Sequence, residues 1–213
     1  MKFCSSPKSK IAGFTLLELM VTVLIVAILA SIAAPSMTTY QNKKCVTAGV
    51  HNFAATILSA RRLAMDTQNN MRLCASVDGE TCATAADWSS GFIVFEDDSV
   101  AADQTGNGVR DATEKLYSSY TPSCDATVSV RSRTNTSTDV ASFGFNFRGY
   151  SLSNLRHFIV VCPVDNIASN ARGLLVELNG RTLQSHDLDA NGIHEVVLSQ
   201  DDGTVFSEEI SCP

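Results

Sequence analysis

From Leu16 to Ala34 the chain runs through 19 residues of which only Glu18, Thr22 and Ser31 are polar. No other feature limits the fold so strongly. At a helical rise of about 1.5 Å per residue the run spans roughly 28 Å, close to the ~30 Å hydrocarbon thickness of a bilayer. The segment before it, Met1 to Ala12, carries Lys2, Lys8 and Lys10 and no acid. By the positive-inside rule it stays in the cytoplasm, and the chain beyond Ala34 lies across the membrane. A secretory signal peptide fits poorly, because the run is too long, holds an acid at its start and continues past Pro35 as an amphipathic helix. Glu18 is the anomaly. An ionised side chain at membrane depth costs roughly 2.5–3.5 kcal/mol on insertion scales, so it needs a partner or must snorkel to the interface.

Gly13 followed by Phe14-Thr15-Leu16-Leu17-Glu18 resembles the class III signal of type IV prepilins and type II secretion pseudopilins. The resemblance implies cleavage between Gly13 and Phe14 by an aspartic prepilin peptidase, then N-methylation of Phe14. It also implies an assembly role for Glu18, paired with the Phe14 ammonium of a neighbouring subunit. Glycine before the scissile bond leaves that bond unobstructed. Residues 1–13 are then a cleaved leader, 14–35 a transmembrane and assembly helix, and 36–213 a periplasmic head. The implied partners are the peptidase, the inner membrane, and other major and minor pilins through the N-terminal helix. The implied location is the inner membrane, single-pass, and afterwards a pilus or pseudopilus fibre.

Pro35 should remove a hydrogen bond and kink the helix. Beyond it Val46, Val50, Phe53, Ile57, Ala60 and Ala64 recur at spacings of three and four, an apolar stripe suited to packing on a sheet. The stripe carries the helix to about residue 67. After Asn70 come short β-branched and aromatic runs, predicting strands at 71–77, 91–96, 116–120, 127–131, 142–147, 157–162, 173–178 and 181–184. Phe143, Phe145 and Phe147 alternate onto one face, Asn179-Gly180 marks a two-residue hairpin, and 134–139 reads as a polar loop. The fold class is α+β: a long kinked N-terminal helix on antiparallel sheets, the pilin fold.

Within that family, Leu73-Cys74, Cys82, Asp87-Trp88-Ser89-Ser90-Gly91-Phe92-Ile93-Val94-Phe95 and Gly106-Asn107-Gly108-Val109-Arg110-Asp111 resemble FimU/FimT-type minor pilins and GspH-type pseudopilins. FimT-like members that bind DNA carry Gly-Arg-x-Arg, whereas this chain reads Gly180-Arg181-Thr182-Leu183. Without the leader there are 13 Lys plus Arg against 22 acids, a balance of −9. Both observations argue against DNA as a partner.

Loss of Cys4 with the leader leaves six cysteines, which in an exported chain read as three disulfides with fifteen pairings open. Cys74 and Cys82 flank a turn-rich stretch and form a local pair. Cys212 should pin the C-terminus to the strand ending at Cys162, and Cys45 with Cys124 remains by subtraction.

Two acidic loops have calcium-type spacing. Asp103, Thr105, Asn107, Asp111 and Glu114 stand at positions 1, 3, 5, 9 and 12 with Gly108 at 6. Thr105 and Arg110 depart from the pattern, and a solvated polar loop is the simpler reading. Asp187, Asp189, Asn191 and Glu195 repeat the first half, with Leu198 at position 12. A site there would borrow Asp201 or Asp202, and a β-turn is again the simpler reading. No other cofactor is implied. His51, His157, His186 and His194 lack a nucleophile context, His157 reading as a strand-edge residue. No Gly-x-Ser-x-Gly, P-loop or dinucleotide fingerprint is present. The chain reads as a structural subunit and a peptidase substrate, not an enzyme.

Overall fold

The structure, a computed structural model, describes residues 13–97, 106–133, 137–199 and 205–212; the side chains of 32–36, 133, 137–138, 198–199 and 205–206 lie outside that description. The chain divides into two compact units, Met1–Tyr40 and Gln41–Pro213. One helix, α1 (Leu16–Thr67), belongs to both. Pro35 does not end it, since the helical backbone is assigned through that position.

In the first unit α1 is apolar on every side. Leu17, Leu19, Met20, Leu24, Val26 and Leu29 point in different directions around the axis, and each is at least 61% exposed. The hydroxyl of Thr22 donates to the Leu19 carbonyl at 2.9 Å and that of Ser31 to the Ile28 carbonyl at 2.7 Å. These two polar side chains are therefore satisfied by their own helix, as an apolar surrounding requires.

In the second unit the helix is one-sided. Val46, Val50, Phe53, Ile57, Ala60 and Ala64 are all at most 4% exposed. Eleven strands come after it: β1 (Met71–Ala75), β2 (Phe92–Glu96), β3 (Leu116–Tyr120), β4 (Ala126–Arg133), β5 (Ser137–Asp139), β6 (Ser142–Phe145), β7 (Arg156–Pro163), β8 (Arg172–Val176), β9 (Thr182–Gln184), β10 (Glu195–Ser199) and β11 (Val205–Glu209). They form a four-stranded sheet β3-β2-β1-β6, a five-stranded sheet β5-β4-β7-β8-β9 and a β10-β11 ribbon. Every pairing among them is antiparallel.

Strand alternation sorts the apolar residues into three clusters. Met71, Leu73, Phe92, Val94, Val130, Ile159, Val161 and Leu174 face the helix stripe in one core. Phe158, Val160 and Leu175, on the opposite face of the larger sheet, are covered by Val196 and Ile210. Ile93 and Phe95 pack with Cys74 and Cys82 behind the smaller sheet. Trp88 is fully buried beside Phe53, Phe92 and Phe143, and its indole N–H donates to the Val140 carbonyl at 2.8 Å.

The structure corrects the sequence-based expectations at several places. Residues 137–139, expected in a loop, form edge strand β5, held by pairing with β4 and an Arg131–Asp139 ion pair at 3.2 Å. β10 and β11 had no predicted counterpart. β6 ends at Phe145, so Phe147 leaves the buried Phe143–Phe145 row and is 39% exposed. Asn179-Gly180 is not a two-residue hairpin. Glu177 and Arg181 close a three-residue loop, with the Glu177 N–H on the Arg181 carbonyl and the Gly180 N–H on the Glu177 carbonyl, both at 2.8 Å. Gly180 alone in that loop has positive φ (72°), whereas a type I′ turn would require it of Asn179 as well.

His157 lies on central strand β7, not at an edge, and is 2% exposed. Its Nε2 meets the Ser153 hydroxyl at 3.1 Å, its ring lies 4.9 Å from that of Phe143, and its Nδ1 has no partner among the described residues. Burial pushes its pKa down from 6.5 to about 4. The fold thus favours the neutral ring. That contribution is complete above about pH 6.5 and is lost as the pH falls toward 4, amounting to roughly 3 kcal/mol. The head should therefore lose stability over this window, and His157→Phe should lose about that much less. Urea midpoints of both proteins between pH 7 and pH 4 measure the difference, and parallel curves would refute the assignment.

Candidate functional site: the helix start and two acidic loops

Gly13, Phe14 and Thr15 precede the helix, and Phe14 is 85% exposed. Thr15 caps it: its carbonyl accepts the Leu19 N–H and its Oγ1 accepts the Glu18 N–H, both at 3.2 Å. Glu18 is thus the third residue of the first turn, where the positive end of the helix dipole favours a carboxylate. Thr15 and Glu18 have the spacing of a capping box, a signal that was legible in the sequence beside the cleavage motif. A Cβ on Gly13 would meet nothing within 4 Å. The chain's own fold therefore gives no steric reason for glycine there. Among the described residues no helix is long and apolar enough to cross a membrane; the apolar side chains are described from Leu16 to Ser31, and the sequence run goes on to Ala34.

The six head cysteines are joined as Cys45–Cys124, Cys74–Cys82 and Cys162–Cys212, with Cα separations of 6.0, 5.5 and 5.8 Å. Inside the Cys74–Cys82 loop, Asp78 accepts the hydroxyl and amide hydrogens of Thr81 and the Glu80 N–H. The Thr81 hydroxyl foremost, then these amides, hold its carboxyl well below the usual carboxylate range.

In the first acidic loop, Asp103 and Thr105 lie outside the described residues, and the remaining oxygens serve the loop itself. Asn107 Oδ1 accepts the Val109 N–H at 2.8 Å, its Nδ2 donates to Asp111 at 2.9 Å, and Glu114 accepts the Asp111 N–H at 2.7 Å. The loop is organised around Asp97, a residue that sequence reasoning missed. Asp97 is fully buried, accepts the Asn107 and Gly108 N–H groups at 3.1 Å and pairs with Arg72. Gly106 (φ 75°) lies against its carboxylate so closely that any Cβ there would clash. A glycine-flanked turn after an apolar strand that is followed directly by Asp97 was the available signal.

The second loop brings carboxylates together. Oxygens of Asp187, Asp189 and Glu195 lie within 4.8 Å of one another, and Glu195 is buried. These three are the residues that could hold a hard cation such as calcium. The Asn191 oxygen is committed elsewhere, its Oδ1 accepting the Ile193 N–H at 2.7 Å, while its Nδ2 donates to Asp189 and Glu209. Asp201 and Asp202 lie outside the described residues. Backbone N–H groups already serve the cluster, Gly192 on Asp187 at 3.0 Å and Leu188 on Glu195 at 2.8 Å. The expected result is equal melting temperatures in EDTA and in millimolar calcium. A rise with calcium would instead show the cluster occupied.

The family model of the prokaryotic N-terminal methylation motif matches residues 8–34, and that of the type II transport protein GspH matches residues 49–182, more than half of the chain. Among solved structures, the type IV minor pilin FimU of Pseudomonas aeruginosa strain PAO1 is 14% identical, covering 65% of this chain and 90% of that one with a TM-score of 0.47. The minor pseudopilin EpsH of the Vibrio cholerae type 2 secretion system is 10% identical, covering 65% and 94% with a TM-score of 0.42. No curated protein matches.

Proposed function

Because the chain belongs to the type II transport protein GspH family, a family of structural minor pilins and pseudopilins rather than enzymes, we propose that it is a minor subunit of a type IV pilus. In this reading it enters the inner membrane by the apolar half of α1, with its head in the periplasm. The prepilin peptidase cleaves between Gly13 and Phe14, Phe14 is methylated, and other pilins pack on the helix. The supporting observation is that α1 between Leu16 and Leu29 carries exposed apolar side chains on every face. Such a surface is stable in water only when lipid or neighbouring helices cover it.

A second reading, a pseudopilus subunit of type II secretion, is favoured by the description of the matching family. The two separate in a host with both machines. Deleting the gene should abolish surface pili and twitching while secretion continues; lost secretion with normal pili would transfer the protein to the other machine.

A further inference from the structure

The head is acidic, yet one of its cavities has no acid in its wall. A pocket of about 160 Å³ opens where α1 meets the β8–β9 hairpin, and its polar wall includes His51, Arg172, Gln184, Ser185, His186 and His194. It gathers three of the chain's four histidines and an arginine, although 22 of the chain's residues are Asp or Glu. We infer that this pocket binds a small oxyanion, a phosphate or a carboxylate group.

The donors are placed for it. Gly173 on β8 donates to the Ser185 hydroxyl at 2.8 Å, which fixes that side chain in the wall. The His194 Nδ1 lies 3.1 Å from the Ser185 carbonyl and 3.4 Å from the Ser185 hydroxyl, contacts that hold the ring in the wall. The His51 and His186 rings make no hydrogen bond among the described residues, and an imidazole offers an N–H in either protonation state. Arg172 spends one terminal nitrogen on the Ser169 and Ala171 carbonyls, at 3.1 and 2.6 Å. Burial lowers its pKa more than the charge of Asp187 raises it, so the guanidinium is short of counter-charge. Asp187 does not line the pocket, and its Oδ2 holds the Gly192 N–H. Glu195, across the His186–Glu195 bridge, directs a carboxylate oxygen to the Leu188 N–H. The volume equals about five waters, too small for a drug-sized ligand. A transition metal suits the site less well, because a fixed guanidinium repels it and the ring nitrogens do not cluster within 4.8 Å.

The four histidines provide their own readout. The full chain, labelled at histidine and held in a nonionic detergent at pH 7, is titrated with inorganic phosphate and with acetate at constant ionic strength. The imidazole resonances of His51, His186 and His194 should shift saturably, and that of buried His157 should not. Saturation by phosphate or by acetate alone says which of the two groups fits. Arg172→Gln should weaken binding about tenfold or more at unchanged melting temperature. Should that variant fail to fold, His51→Asn, on the exposed helix surface, should weaken binding severalfold. Absence of saturation, equal affinity in the folded variants, or a response to zinc alone overturns the inference.

Discussion

Replacing Glu18 by alanine should leave the bond after Gly13 cleaved while removing the subunit from sheared fibres, by an order of magnitude or more. The physical basis is a mismatch with two resolutions. A carboxylate in an apolar helix is costly on its own, and cleavage creates an ammonium on Phe14, four residues upstream of Glu18. Within one subunit Phe14 lies just before the helix and Glu18 on its first turn; in the proposed fibre, the ammonium of one chain would meet the carboxylate of the next. Two unit charges 4 Å apart attract by about 4 kcal/mol at an effective dielectric of 20, enough to offset the burial cost. The Thr15 cap fixes the helix start and hence the depth of Glu18. Glu18→Gln separates charge from shape: it should be cleaved and still excluded. Immunoblots of membrane and sheared-fibre fractions read both steps, and normal incorporation of either variant would remove the assembly role.

The second large effect is expected at Asp97. Asp97→Ala should destabilise the head by about 3–5 kcal/mol, because it removes a fully buried carboxylate that pairs with the Arg72 guanidinium, itself 14% exposed. It also leaves the Asn107 and Gly108 N–H groups without the carboxylate they donate to, each at 3.1 Å. For a chain of this length the melting temperature should fall by roughly 10 °C. Asp97→Asn, which keeps the shape and part of the bonding, should lose less. A change within 1 kcal/mol for Asp97→Ala, measured by denaturant unfolding with the disulfides intact, would show that the pair contributes little.

How legible these features were depends on whether their signal is local. The stripe from Val46 to Ala64 could be read because one helix face is buried throughout, so period and burial coincide. Strands β1, β2, β7 and β8 could be read because their β-branched and aromatic runs are buried on both faces. β5 could not: Ser137-Thr138-Asp139 has no apolar residue, and its pairing comes from its place at the sheet edge. β10 was hidden by Asp187 to Glu195, whose metal-like spacing drew attention from Val196 and Val197, although these alternate from 1% to 45% exposed as strand residues do. At the sites, Gly13 to Glu18 is one contiguous motif and needs no fold to be recognised. Asp97 gains its meaning only when the loop of Gly106 closes over it. The three pocket histidines lie at 51, 186 and 194, and only the packing of the hairpin on the helix brings them together.

The Cys45–Cys124 bond has a mechanical consequence. In the proposed fibre, tension would reach the subunit along its helix. Without a cross-link, tension along α1 could peel the stripe from the sheets one turn at a time, because apolar contacts resist shear poorly when loaded singly. Cys45 lies just inside the second unit and is bonded to a residue 79 positions away, two residues before β4. Force arriving from the helix is therefore handed covalently to the five-stranded sheet before the apolar stripe beyond Cys45 is strained.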